Sequence, residues 1–151
     1  MTACARRCGY GLAVVGAALA AHVFAVQNGF VDFDDDDYVF ANAHVEAGLT
    51  WDGVRWAFST GHAANYHPLT WLSHMADVSL WGMNPAGHHL VSVLLHALNS
   101  FLVFMALLRL TGKDREAMAV ALLFAVHPLH VESVAWVSER KDLLCAAFML
   151  A

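Results

Sequence analysis

The stretch GYGLAVVGAALAAHVFAV, from Gly9 to Val26, decides the fold class of this chain. Its 18 residues carry no acid or base apart from His22. A helix needs about 17–25 apolar residues to cross the hydrocarbon core of a membrane. A second stretch, from His88 to Leu110, reads HHLVSVLLHALNSFLVFMALLRL. Because backbone polar groups in lipid must be satisfied within the segment, we predict that both stretches are membrane-spanning helices.

The composition of the whole chain agrees with this prediction. The chain has 151 residues, of which 59% are hydrophobic and 14% are charged, and its mean hydropathy is +0.52. Soluble domains are about 45–50% apolar and about 25% charged. The composition therefore indicates an all-α polytopic membrane protein.

The apolar stretches divide the chain into spans and loops. We predict spans at about 9–27, 88–110 and 117–136, and a fourth that begins near 143 and is truncated. Residues 28–87 form a long loop between the first two spans. Because the last apolar run is too short to cross a bilayer, we expect this chain to be the N-terminal part of a larger membrane domain.

The basic residues predict the orientation. Arg6 and Arg7 precede the first span, and three further bases lie in the stretch 109–115 after the second. The loop 28–87 has one base, Arg55, against eight acids. Under the positive-inside rule the N-terminus is cytoplasmic and the loop is outside. Outside means the periplasm if the membrane is a bacterial inner membrane, or the lumen if it is the ER membrane.

The long loop contains two segments with apolar residues at helical spacing. We predict amphipathic helices over Val45–Phe58 and Pro68–Trp81, each of which contains two tryptophans. Tryptophan is enriched where the membrane meets water, which favours helices lying in the interface. The alternative is a packed cap that sits outside the membrane.

Four consecutive acids, Asp34 to Asp37, follow the first span. Since a carboxylate is costly in lipid, the run must face water, a cation or a positive substrate group. Its oxygens are the ligands that Mg²⁺ or Mn²⁺ prefers, and we consider Asp35, Asp36 and the distant Asp142 as a cation site. One acid could instead act as a general base, and the third alternative is a solvated acidic turn.

The segment HPLHVESVAWVSERKD, from His127 to Asp142, holds the other candidate residues. On a helix His127 and His130 share a face, but with Glu132 they form only a weak metal-site pattern. Alternatively, Pro128 starts a helix and the histidines lie at its end. Arg140 could bind a phosphate through paired N–H groups, or it could simply mark the membrane boundary.

Histidines within the spans raise the question of haem. His22 and His96 are the residues placed to be axial ligands. A lone histidine in a span more often bonds to a neighbouring helix, so we expect no haem. We also expect no bound nucleotide and no nucleic-acid partner.

Three segments together resemble the transmembrane-and-tetratricopeptide-repeat (TPR) O-mannosyltransferase-like family, in particular its bacterial TPR-containing relatives. They are FVDFDDDDYVFAN (Phe30–Asn42), HPLTWLSHMADVSLWGMNPAGHHLVSVLLH (His67–His96) and HPLHVESVAWVSERKDLL (His127–Leu144). Their order and spacing follow the family, and they cover most of the chain after the first span. The first span is similar only in kind.

The resemblance implies a GT-C glycosyltransferase bundle. Such enzymes take a sugar, usually mannose, from a polyprenyl-phosphate carrier and transfer it to a protein Ser/Thr hydroxyl at the outer or lumenal face. The family's paired acids fall on Asp34 and Asp35, which are the expected catalytic residues, and its Arg-x-Asp falls on Arg140 and Asp142. Further spans and TPR helices are expected beyond this chain, so we expect it to be inactive alone.

Two other functions remain open from the residues. The chain could be a non-catalytic membrane scaffold, whose loop binds partners. It could also be a transporter module whose acidic vestibule attracts cations, although the predicted spans 9–27 and 88–110 contain no acid, where a cation path would need one.

Overall fold

The computed structural model describes residues 2–151, which form helices and no strand. Short 3₁₀ and π-helical turns join the longer elements. The eight α-helices are α1 (Ala3–His22), α2 (Ala43–Glu46), α3 (Trp51–Ser59), α4 (Pro68–Trp81), α5 (Pro85–Thr111), α6 (Asp114–Ala125), α7 (Val131–Ala135) and α8 (Arg140–Leu150). The all-helical prediction is confirmed.

Two helical segments are long and apolar enough to cross a membrane. They are Ala3–Gln27, in which a 3₁₀ turn extends α1, and α5. Both overlap the first two predicted spans. The pair Asp114–Ala125 and Pro128–Ala135 passes the same test only as one unit bent by 50°, which would make a third span.

The bend after α6 has a local cause. His127 has φ −69° and ψ 129°, an extended conformation, and its side chain accepts the N–H of Leu129. Pro128 cannot donate a backbone hydrogen bond, and it disfavours helical geometry in the residue before it. The predicted span 117–136 is therefore two helices with a corner between them.

The bundle packs α1, α5 and α6 through small residues. Ala18, Ala121 and Ala125 are fully buried in a core cluster that also contains Phe104 of α5. Small side chains allow the backbones of helices in a membrane to approach closely. At one end Arg6 and Asp114 form a 2.7 Å ion pair, so the N-terminus and the α5–α6 turn lie together.

The opposite end carries the loop 28–87 and the segment from His127 to Asp142, and we call it the acidic end. α4 has the predicted bounds, and the predicted helix Val45–Phe58 is divided. Gly48 has φ 71°, which favours glycine, and it separates α2 from α3. Trp71 is fully buried in a cluster with Tyr38 and Met75, whereas Trp51 is 79% exposed.

Candidate functional site

The aspartate run adopts three different environments. Asp34 is exposed and has φ 65°, a left-handed conformation that aspartate tolerates better than most residues. Asp35 is fully buried. A π-helical turn then runs over Asp36–Phe40, a geometry that is frequent at functional sites.

Asp35 joins the run to a segment far along the chain. Its Oδ2 accepts the N–H of Val31 and its Oδ1 accepts the N–H of Ser138, both at 2.9 Å. Nearby, the indole N–H of Trp136 donates to the carbonyl of Phe33 at 3.1 Å. The structure thus places the two polar segments of the sequence in contact at the acidic end.

Lys141 lies near this contact, beside the buried ring of Tyr38. Lys141 Nζ lies 2.6 Å from Glu139 Oε1 and 5.5 Å from the Tyr38 ring centre. Burial lowers the pKa of Lys141, but the contact with Glu139 outweighs it and the pKa is raised, so the ammonium is charged at pH 7. Burial raises the pKa of Tyr38, which Lys141 opposes and Asp34 reinforces, so its hydroxyl is protonated there.

Arg140, predicted to bind a donor phosphate, lies fully buried. It forms an ion pair with Asp77, donates from Nη2 to the carbonyl of His88 at 2.6 Å, and donates from Nε to Ser92 Oγ at 3.3 Å. Its guanidinium has no exposed surface in this arrangement. The residue therefore connects α8 to α4 and α5.

The pair of Arg140 and Asp77 is ionised at neutral pH. Burial raises the pKa of Asp77 to about 6, and the adjacent guanidinium opposes that rise. Burial lowers the pKa of Arg140, and Asp77 opposes that change. Since arginine keeps its proton at all ordinary pH values, Asp77 is the member of the pair that titrates first.

His74 and His88 complete a buried cluster around Asp77. Ligand atoms of the three side chains all lie within 4.8 Å of one another, and no other group of three His, Cys, Asp or Glu residues in 2–151 meets that criterion. Burial lowers the pKa of His74 well below its usual value, so its ring is neutral.

The predicted cation set of Asp35, Asp36 and Asp142 is not such a group within the described chain. Both oxygens of Asp35 are bonded to backbone N–H groups. Asp142 is exposed and accepts a 3.4 Å hydrogen bond from Ser133 Oγ.

The other predicted candidates occupy a different place. The His130 ring packs on Phe124 and His96, with ring centres 4.3 and 5.2 Å away. His127 caps the turn that follows it, and Glu132 is exposed. These residues form an aromatic contact between α5 and the corner after α6, not a ligand set with Glu132.

The sequence interpretation did not single out His74, Asp77, His88 or Lys141. A signal for two of them existed, because His74 and Asp77 are three apart on the predicted helix Pro68–Trp81 and must share a face. A polar pair on the face that also carries Trp71 would be buried, and a buried acid needs a partner.

The chain is similar in sequence to O-mannosyl-transferases of animals. Human protein O-mannosyl-transferase TMTC4 is 37% identical to this chain over 140 residues, covering 78% of the chain and 19% of the relative. Human TMTC1 is 36% identical over 164 residues, covering 97% and 18%, and Drosophila melanogaster Tmtc1 is 33% identical over 142 residues, covering 89% and 16%. The homologues of this chain are therefore protein O-mannosyl-transferases.

The match to the O-mannosyl-transferases involves only part of those proteins. The chain spans less than a fifth of the length of these three relatives. No family model matches the chain, and no solved structure matches it significantly. Together with the two apolar helices, the O-mannosyl-transferase homologues support a membrane protein.

Proposed function

We propose that this chain is the N-terminal part of a membrane O-mannosyl-transferase that moves mannose from a polyprenyl-phosphate carrier to a protein Ser/Thr hydroxyl. One observation carries the proposal. An exposed acid, Asp34, stands beside a buried acid, Asp35, that holds the lysine-bearing segment 138–141 in place. The homology to O-mannosyl-transferases supports assigning transferase chemistry to that arrangement.

Asp34 is assigned the role of general base. Its carboxylate is exposed, so an acceptor hydroxyl can approach it and give up its proton as the oxygen attacks the sugar carbon. Asp35 is a positioning residue, because both of its oxygens already accept backbone N–H groups. Asp35, which follows the left-handed turn at Asp34, joins this part of the chain to Ser138, three residues before Lys141.

Lys141 is assigned to the donor phosphate. An ammonium near the departing phosphate stabilises its developing charge. Lys141 lines a groove of about 250 Å³ together with Tyr66, His67, Pro68, Leu69, Thr70, Leu144, Cys145 and Phe148. A cation at one end and apolar side chains along α8 suit a lipid whose charged head continues into a hydrocarbon chain. Arg140, which the sequence predicts as the phosphate ligand, positions Lys141 from the buried side.

Lys141→Ala in the complete protein is expected to weaken binding of a polyprenyl-phosphate-linked mannose about 10- to 100-fold, the loss typical of a hydrogen bond to a charged group. Binding is measured with the labelled lipid in nanodiscs. Lys113→Ala is the matched control, because Lys113 is an exposed lysine beside the Arg6–Asp114 end.

Equal donor affinity in the Lys141 and Lys113 variants would contradict the phosphate assignment. If the unsubstituted protein binds no such lipid, the transferase proposal fails and the scaffold alternative is favoured. Uptake of cations driven by the acidic run, without lipid binding, would favour the transporter alternative.

The orientation that we propose puts the acidic end outside and the N-terminus in the cytoplasm. Cysteines placed at Ser59 and at Thr111, both exposed, test it after the native Cys4, Cys8 and Cys145 have been replaced. We expect a membrane-impermeant maleimide added from outside to label position 59 and not position 111. Labelling of 111 in sealed cells would reverse the assignment.

A further inference from the structure

We propose that His74, Asp77 and His88 bind one divalent transition-metal ion, with Zn²⁺ as the favoured occupant. The cluster is independent of the transfer chemistry assigned to Asp34 and Lys141. It lies where α4, α5 and α8 meet, and its three residues are at most 3% exposed.

The state of the two imidazoles supports a role as metal ligands. All four ring nitrogens of His74 and His88 are buried without a hydrogen-bond partner in residues 2–151. Buried polar atoms in native proteins are nearly always satisfied, and an orphan needs a specific explanation. His88 Nδ1 lies 3.4 Å from Asp77 Oδ2. A neutral imidazole with a free nitrogen is the form that binds metal.

The geometry of the three side chains also supports a shared ion. The two rings lie 6.1 Å apart between centres with planes 27° from parallel. Ligand atoms of the three residues lie within 4.8 Å of one another, whereas tetrahedral zinc with bonds of about 2.0–2.1 Å needs them about 3.3–3.4 Å apart. Metal binding at this cluster therefore requires side-chain rotations that bring the three ligand atoms closer together.

The ligand atoms and the neighbouring charge select the kind of metal. Two nitrogens and one oxygen suit zinc and its neighbours, whereas Mg²⁺ and Ca²⁺ demand a shell of oxygens. Arg140 binds Asp77 through Oδ2, which leaves Oδ1 for the ion. The positive guanidinium opposes any cation held by charge alone, so it discriminates further against Mg²⁺. The binding free energy of zinc on imidazole nitrogens comes from coordinate bonds as well as from electrostatic attraction, so the guanidinium opposes it less.

The test is made on the complete protein, purified in detergent and stripped with a chelator. We expect Zn²⁺ titration to restore one bound equivalent in the unsubstituted protein. His74→Leu and His88→Leu should each lack it or bind it at least about 10-fold more weakly, the smallest loss typical of removing even an outer-shell partner of a metal ligand. His44→Leu removes an exposed imidazole stacked on Trp56, and His130→Leu removes one from the contact with His96. Both control variants are expected to bind one equivalent of Zn²⁺, as the unsubstituted protein does.

Thermal unfolding followed by circular dichroism is the second measurement. Zn²⁺ should raise the Tm of the unsubstituted protein, Mg²⁺ should not, and the rise should be absent in His74→Leu. The proposal is overturned if the unsubstituted protein shows neither bound zinc nor a Tm rise. It is also overturned if His74→Leu keeps the equivalent or if His44→Leu loses it. If His74→Leu does not fold, the response of the unsubstituted protein to Zn²⁺ and Mg²⁺ decides.

Discussion

Asp34→Asn in the complete protein is expected to lower mannosyl transfer at least about 100-fold, the lower bound for removal of a general base. The amide keeps the size of the side chain and cannot take the acceptor proton. Asp34 is exposed and makes no side-chain hydrogen bond within residues 2–151, so folding should survive. The rate is measured with a polyprenyl-phosphate mannose donor and a Ser/Thr peptide.

Two controls separate chemistry from structure. Asp52→Asn changes an acid whose partner is Arg55 at 3.5 Å on an exposed helix face, and it should leave transfer unchanged. Asp35→Asn should lower both transfer and thermal stability, because an amide cannot accept from both Val31 and Ser138. If Asp34→Asn transfers mannose as fast as the Asp52 variant, Asp34 is a solvated turn residue.

Arg140→Met is expected to destabilise the fold by about 3–5 kcal/mol, since it leaves a buried carboxylate without its partner. Arg140 is fully buried and Asp77 is 3% exposed, so water does not replace the lost contact. The free energy of unfolding is measured by denaturation in mixed detergent micelles. Arg55→Met is the control, because its ion pair is exposed on both sides and should contribute little.

The double variant Arg140→Met with Asp77→Leu identifies the cause. Replacing both charges with apolar side chains removes the uncompensated carboxylate, so much of the lost stability should return. If the free energy of unfolding of Arg140→Met lies within about 1 kcal/mol of that of the unsubstituted protein, the ion pair is not the stabilising contact that its burial indicates.

Local sequence features, such as prolines and glycines at helix ends, predict much of the helical architecture. α4 begins at Pro68, which suits the first helical turn, and ends before Gly82, whose φ is 63°. The predicted helix Val45–Phe58 was wrong as one element, because its apolar spacing continues across the break. Gly48, whose added Cβ would lie 2.7 Å from Ser79 Oγ, and the cap at Thr50 end one helix and begin the next.

The sequence could not predict whether each apolar helix face contacts water, lipid or protein. Trp51 and Trp71 look alike in the sequence, as amphipathic side chains in a loop rich in tryptophan. One is 79% exposed and the other is fully buried against Tyr38 and Trp56. Spacing along a helix says which residues share a face, but only the packing of that face against other elements says whether it meets water, lipid or protein.

The sequence by itself determined the class of the protein and the location of its acids. Apolar length requires helices in a membrane, and the cost of charge in lipid puts Asp34 to Asp37 at the end of a span. Only the tertiary structure decided that Asp34 is exposed while Asp35 binds Ser138, and that Arg140 is enclosed by Asp77 and its neighbours. These roles depend on contacts between segments up to 103 residues apart, and local periodicity carries no information about such distances.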